Sequence, residues 1–561
     1  MRRSIVIILA LLLTATFCAA QKLPKKVDKA RQSVTSILAY SNGELKGDGT
    51  AFFVGGNGDV VLSYMLARKS DSIAVIDTKG KVRPVLGIVG LNNLYDCVRV
   101  RVAADKKIPY LSVSHNAVPV GDELYMLSYG KKNSGEVTRV SVAAVDSFYS
   151  HAYYTLDIKM QEGYASLPLV NANGELVAIM QPMTAGDTCS YAIGSTVYEK
   201  LVTTSVTYGR GYYNDMGIRT LLPDDKDAAL SCMYMQAVLG DSASYGKVVD
   251  EFIKAFPESY EGYMSKAEFL AVHCRDIEAA DAQWEKSLSF AEKPAEVYFN
   301  KAKTLSSIIY DGDTVSHNAL SVDNVIAMLD KAIAADSLPV YVYYKAGRLY
   351  DAGRYDEAYG CYMSLVGADI EQDGVYANAS QCQRVLKNYD AAIELMDSAV
   401  NRAMETNKDD ALPLVFERGL MKDSVGRHRE AVMDYNYYEE NSAVRLGGTF
   451  YYIRSQAEVK CKMYQQALND LERAISIAPG YALFYFEKGL LCYRLNLLDE
   501  AVAALEAAKE IDPESSDIYY LLGCSYSKSG NRSLAEENLN KAISLGHPDA
   551  ANKLKELKKR S

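Results

Sequence analysis

Two patterns of apolar and polar positions divide this chain of 561 residues. From Ser33 to about Val202, short alternating or apolar runs such as "TAFFV", "DVVLSYML", "SIAVID", "CVRVRV", "ELYMLSYG", "VTRVSVAAV" and "ELVAIM" are separated by Gly, Asn, Asp and Ser. A period of two broken by turn residues predicts strands, and a long succession of them predicts an antiparallel barrel or sandwich. After "YGRGYYNDMGIRTLLPDDKDAA" the apolar spacing changes to three and four, which predicts amphipathic helices. The pattern therefore sets an all-β domain over residues 21–204, a linker over 205–226, an all-α region over 227–550 and a basic tail over 551–561.

The helical half repeats. Ala467, Ala501 and Ala535 lie 34 residues apart, as do Leu471, Leu505 and Leu539, and Pro479 and Pro513 keep the same interval. This register resembles the tetratricopeptide repeat, in which a small residue lets two helices cross and Pro follows the second helix. The clearest unit is "YFEKGLLCYRLNLLDEAVAALEAAKEIDPE", and looser units around Ala358, Ala392 and Ala431 bring the count to about nine. One helical hairpin cannot bury its own apolar face, so stacking into a solenoid is the expected architecture.

The front half carries a second resemblance. "GDGTAFFVGGNGDVVLSYML", "LYDCVRVRV" and "GYASLPLV" follow, in order and spacing, the motifs of trypsin-like serine proteases of the high-temperature-requirement type. "VPVGDELYMLSYG" and "SYAIGSTVYEKLV" resemble further strands of that family. The fold implied is a double β-barrel. Aligning the motifs puts Met65 at the histidine position, Asp96 at the aspartate position and Ala165 at the serine position.

A triad needs a nucleophile, a base and a group that orients the base. Ala165 offers no hydroxyl and Met65 no proton acceptor, so triad-type proteolysis is not expected. Neighbours do not repair the loss. Ser166 is one position away and should point elsewhere, and Tyr64 is a phenol with an ordinary pKa of about 10. His115 and His151 read as surface or loop histidines.

Binding then moves to the repeats. In the family resembled, the fifth position of each first helix faces the concave groove, which here gives Phe299, Tyr343, Phe416, Tyr452, Phe486 and Tyr520. Two readings of this aromatic series stand: a ladder able to stack on a peptide or sugar chain, and rings that pack the inner wall.

Composition and charge narrow the function classes. "MRRSIVIILALLLTATFCAA" has a basic start, an apolar core and a small-residue end, which predicts a secretory signal peptide over residues 1–20 and a periplasmic or extracellular mature chain. No later stretch is long and apolar enough for a transmembrane segment. A formal net charge of −10 argues against nucleic acid as a partner.

The cysteines beyond the leader show no C-x-x-C pair, and a Cys97–Cys189 bridge is left open. No metal or cofactor motif occurs, and "DGDTVSHNALSVD" lacks the Gly and Glu of a calcium loop. These features predict an exported, non-catalytic adaptor that binds a protein or peptide in the solenoid groove. A serine-type endopeptidase with a rearranged site and a glycan-binding protein are the alternatives.

Overall fold

The computed structural model describes residues 23–103, 108–133, 135–159, 161, 163–182, 189–311 and 319–559. The expected signal peptide and most of the "DGDTVSHNALSVD" stretch lie outside the described residues. Two compact units divide the chain, residues 1–291 and 292–561.

The first unit holds two closed antiparallel barrels. One is built from β1 (Val34–Ser41), β2 (Glu44–Val54), β3 (Asp59–Ser63), β4 (Ser72–Ile76), β5 (Val82–Asn92) and β6 (Cys97–Val102) in the order β1-β2-β3-β6-β5-β4. The other takes β7 (Glu123–Leu127), β8 (Val137–Phe148), β9 (His151–Leu156), β10 (Pro168–Val170), β11 (Leu176–Met180) and β12 (Ser190–Gly194) in the order β10-β11-β12-β9-β8-β7. Closure removes the unpaired edges that an open sheet would expose.

Strand periodicity sorts the apolar side chains into separate cores. In β3, Val60 and Leu62 fill the first barrel, whereas Val61 faces outward. In the second barrel Leu124, Met126 and Leu169 point inside, while Tyr125, Leu127 and Val170 point out. The outward sets meet in one buried cluster that also includes Phe52, Val54, Cys97, Ile179 and Ile193. That cluster glues the barrels together and fixes the seam along which the triad-equivalent positions fall.

The stretch expected as a linker, 205–226, and the residues just before it are hydrogen-bonded to the first barrel. Thr203 N–H donates to Val89 O at 2.8 Å, Ile88 N–H to Arg219 O at 2.9 Å and Leu221 N–H to Ile88 O at 2.8 Å. Tyr213 and Met216 enter the first barrel's apolar cluster. The physical reason lies in β5: a Cβ on Gly90 would come within 2.1 Å of Leu201 C, and one on Gly87 within 2.7 Å of Arg219 O. Bare backbone at these two positions lets the returning chain lie directly on the strand.

Four helices complete this unit, Lys226–Leu239, Ser242–Ala255, Tyr260–Val272 and Ile277–Phe290. Among the described residues of the second unit, seven helix pairs run from Pro294–Tyr310 with Val322–Ala335 to Ser516–Lys528 with Arg532–Ser544, followed by Ala550–Lys559. The small residues do what the register predicts: a Cβ on Gly489 would meet Leu505 Cγ at 2.6 Å, and one on Gly523 would meet Leu539 Cγ at 2.7 Å. In the last helix, Ala550 and Leu554 pack against Leu539 and Ala542, closing the array. Cys97 is a buried free thiol, so the Cys97–Cys189 bridge left open by the sequence is not formed.

Candidate functional site

The triad-equivalent positions are set by three turns. In "LNNLYD", Asn92 Oδ1 accepts the backbone N–H groups of Leu94 at 3.0 Å and Tyr95 at 3.2 Å, and Asp96 follows with φ 51°. An Asx turn of this kind suits Asp and Asn, which tolerate the left-handed region. The turn delivers a buried carboxyl to the start of a four-residue helix, Tyr64–Ala67.

Both oxygens of that carboxyl accept local hydrogen bonds. Its Oδ2 accepts from Ser63 Oγ at 2.7 Å and its Oδ1 from Met65 N–H at 2.7 Å. Ser63 Oγ in turn accepts Leu66 N–H at 3.2 Å, capping the helix. Burial raises the Asp96 pKa above the ordinary carboxylate value, opposed by the bonds from Ser63, Met65 and Tyr64. The Met65 side chain is 58% exposed.

Tyr64 is spent as well: its hydroxyl donates to Asp215 Oδ2 at 2.5 Å. Burial and that bond push it up to about 12, so it does not ionise near neutrality.

On the other barrel, the turn before β10 carries Gly163 at φ 87° and Ser166 at φ 62°. Ala165 is half-buried, and the side chains of Ser166 and Leu167 are buried, Leu167 inside the second barrel's core. Ser166 N–H donates to Met180 O at 2.9 Å, and Met180 N–H to Leu167 O at 3.0 Å, which locks this turn onto β11.

The two halves of the constellation are joined through the next residue of β11's strand path. Gln181 Nε2 donates to Tyr95 O at 3.0 Å, so Asp96 and the Ala165 turn lie on either side of one interbarrel contact. The exposed apolar side chains Met65, Leu94, Phe148 and Tyr149 belong to this region, with Phe148 edge-on to Tyr95 at 5.8 Å.

His151 departs from the surface position expected of it. It is the first residue of β9 and buried, edge-on to Tyr95 at 5.6 Å, with Nδ1 2.9 Å from Thr196 Oγ1. Burial, then the charge of Lys200, lower its pKa and keep the ring neutral. The available sequence signal was alternation: His151 shares the face of Tyr153, which meets the interbarrel cluster, and not the barrel interior of Tyr154 and Leu156. His115 is exposed, with Nδ1 3.5 Å from Glu199 Oε1.

In the second unit the six aromatic residues are all half-buried. Most are engaged by the following hairpin. Phe299 lies 4.7 Å from the Tyr341 ring, Tyr343 hydroxyl accepts from Asn378 Nδ2 at 2.7 Å, and Phe416 lies 6.0 Å from Phe450. Tyr452 lies 5.5 Å from Phe484, and Tyr520 stacks on His547 at 4.0 Å. Phe486 packs in the cluster of Leu505 and Leu522 and also lines a cavity of about 210 Å³ with Leu483, Asp512 and Asp517.

A seventh member was missed by the sequence reading. Tyr376 stands three residues before the buried Ala379, as Phe486 stands three before Gly489, and that spacing was the available signal.

Comparison with known proteins agrees with both halves. Residues 49–179 match the family model of the trypsin-like peptidase domain, and residues 462–523 and 516–545 match tetratricopeptide repeat models. Sperm-associated antigen 1 of Mus musculus is 24% identical over 149 residues, covering 26% of this chain and 16% of that protein, and the Rattus norvegicus protein matches over the same shares. The chain thus spans under a fifth of the length of these curated relatives.

Among solved structures, the serine endoprotease from Yersinia pestis aligns at 19% identity with a TM-score of 0.28, covering 31% of this chain and 63% of that one. The chain joins a trypsin-like peptidase domain of two six-stranded barrels to a helical array of tetratricopeptide repeats.

Proposed function

We propose that this protein is an exported, non-catalytic scaffold whose repeats hold a protein or peptide partner and whose trypsin-like domain serves as a structural or binding module. One observation carries the non-catalytic part. The Asp96 carboxyl, which would orient a base, accepts instead from Ser63 Oγ and Met65 N–H, each at 2.7 Å. With Met65 and Ala165 at the other two positions, the residues hold a turn and do not move a proton.

The repeats support the binding part, since stacked helical hairpins present extended surfaces that recognise proteins. The aromatic series fixes the spacing of the hairpins, and recognition is assigned to the exposed side chains beside it, such as Leu420 and Leu483. The leader-like residues 1–20 support export to a periplasmic or extracellular compartment.

Cross-linked capture by the full chain tests the reading. Partners that cross-link to the wild type should be lost from Leu420→Asp and Leu483→Asp variants that melt normally. Equal capture by all three sinks the groove assignment.

A hydrolytic reading has one observation in its favour, the hydroxyl–imidazole pair of Thr196 and His151 at 2.9 Å. Hydrolysis of a peptide panel by the wild type beside His151→Ala tests this reading, which fails if the wild type gives only the buffer rate.

A further inference from the structure

Two neighbouring hairpins of the second unit use the same buried ion pair but differ at one position. Lys408–Ser424 with His428–Asn441 carries Arg418, Lys422 and Asp434, and Gly448–Lys460 with Tyr464–Ile477 carries Arg454, Glu458 and Asp470 at the corresponding places 36 residues later. Each arginine grips the aspartate of its own hairpin with two nitrogens. The distances are 3.0 and 2.6 Å for Arg418 to Asp434, and 2.6 and 2.9 Å for Arg454 to Asp470.

In the first hairpin, buried Lys422 adds a second cation, with Nζ 3.0 Å from Asp434 Oδ2. In the second, Glu458 takes its place. It is 3% exposed, and its Oε2 meets no hydrogen-bond donor among the described residues. Arg454 cannot turn to it without loss, because Nη1 is held by Glu439 at 2.6 Å and Asn436 at 2.9 Å.

The surrounding charges do not make up the difference. Helix Tyr464–Ile477 contributes Asp470 and Arg473, and Arg473 is already 2.9 Å from Glu439. Helix His428–Asn441 contributes Glu439, and helix Ala482–Arg494 contributes Glu487, which accepts from Gln456 at 3.4 Å. On the helix Gly448–Lys460 itself, Lys460 turns to Asp423 at 3.0 Å. Glu458 therefore carries an orphaned buried oxygen near Asp470 and Glu439, whose arginine partners Arg454 and Arg473 are already committed to those two acids, at a position where the preceding repeat keeps a lysine.

We propose that Glu458 is a proton-binding site of the solenoid, and that the hairpin Gly448–Ile477 is held closed when Glu458 is protonated and loosened when it ionises. Burial first, then repulsion from Asp470, raise this carboxyl from 4.5 to about 7 against the pull of Arg454. Because the folded-state value is the higher one, the added stability is complete below the ordinary value and is lost as pH rises through about 7. The device makes the stiffness of these repeats, and any partner surface they carry, depend on the acidity of the compartment.

Hydrogen exchange on the full chain at about pH 6 and about pH 8, corrected for intrinsic rates, tests this. The opening equilibrium of amides in 448–477 should rise about tenfold between the two conditions, with no matching change in 372–406. Glu458→Gln should abolish the rise. Glu458→Lys, which rebuilds the Lys422 arrangement beside Asp470, should protect the hairpin at about pH 8 at least as well as the wild type at about pH 6. A wild-type hairpin indifferent to this pH change, or a Glu458→Gln variant that keeps the tenfold response, overturns the proposal.

Discussion

Asp96 accepts the backbone N–H of Met65 at 2.7 Å, so the aspartate position of the constellation is bonded to the main chain of the histidine position and not to that residue's side chain. This bond is independent of what residue 65 carries. Asp96→Ala should therefore destabilise the barrel unit by about 1–3 kcal/mol, the cost of leaving buried donors unmet, while Met65→Ala should change stability by about 0.5 kcal/mol or less. Urea midpoints of the two variants check the contrast.

His151 supplies a pH dependence of the opposite sign to Glu458. Its folded-state value lies below the ordinary 6.5, so the unfolded chain takes up the proton more readily and stability falls as pH drops from above 6.5 toward the folded value. Denaturation midpoints at about pH 7.5 and 5.5 should show this fall in the barrel unit, and His151→Phe should make it smaller. A variant with an unchanged fall would show that other groups carry it.

Asp59 is fully buried and clamps two strand arginines, with Oδ2 2.9 Å from Arg99 Nε and Oδ1 2.7 Å from Arg101 Nε. Removing one side of a buried, hydrogen-bonded charge cluster leaves the others unpaired. Asp59→Ala should cost about 3–5 kcal/mol, read as a lowered denaturant midpoint of the first unit.

Gly489 sits where two helices of one hairpin cross, and an added Cβ would meet Leu505 Cγ at 2.6 Å. Gly489→Ala should cost about 1–3 kcal/mol by overpacking, and a smaller residue at 505, Leu505→Ala, should not add its full separate cost to it. Exchange protection of helix Leu498–Ile511 reports both.

The sequence made the repeats legible because a solenoid writes its packing at a fixed interval, so Ala467, Ala501 and Ala535 and the leucines after them could be read together. The double barrel was legible in the strands that alternate cleanly. Strand β5 was not: Pro84, Gly87 and Gly90 interrupt its pattern, and its register shifts between Val85 and Gly87 and between Ile88 and Gly90. Those glycines exist for the chain that lies over them, so the strand and the packing of the 205–226 stretch were hidden by the same contact.

The candidate site was read with similar limits. Met65, Asp96 and Ala165 follow from motif order, but the burial of His151 and its contact with Thr196 depend on residues 45 apart that only the second barrel's closure brings together. The aromatic series was found by register, yet its commitment to the next hairpin rests on partners such as Phe450, Phe484 and His547 that no single repeat contains.

The most direct test of the central claim is hydrolysis of a casein and fluorogenic peptide panel by the full chain beside Ser166→Ala and His151→Ala. A scaffold gives the buffer rate in all three. Turnover above buffer in the wild type that disappears in either variant contradicts the account.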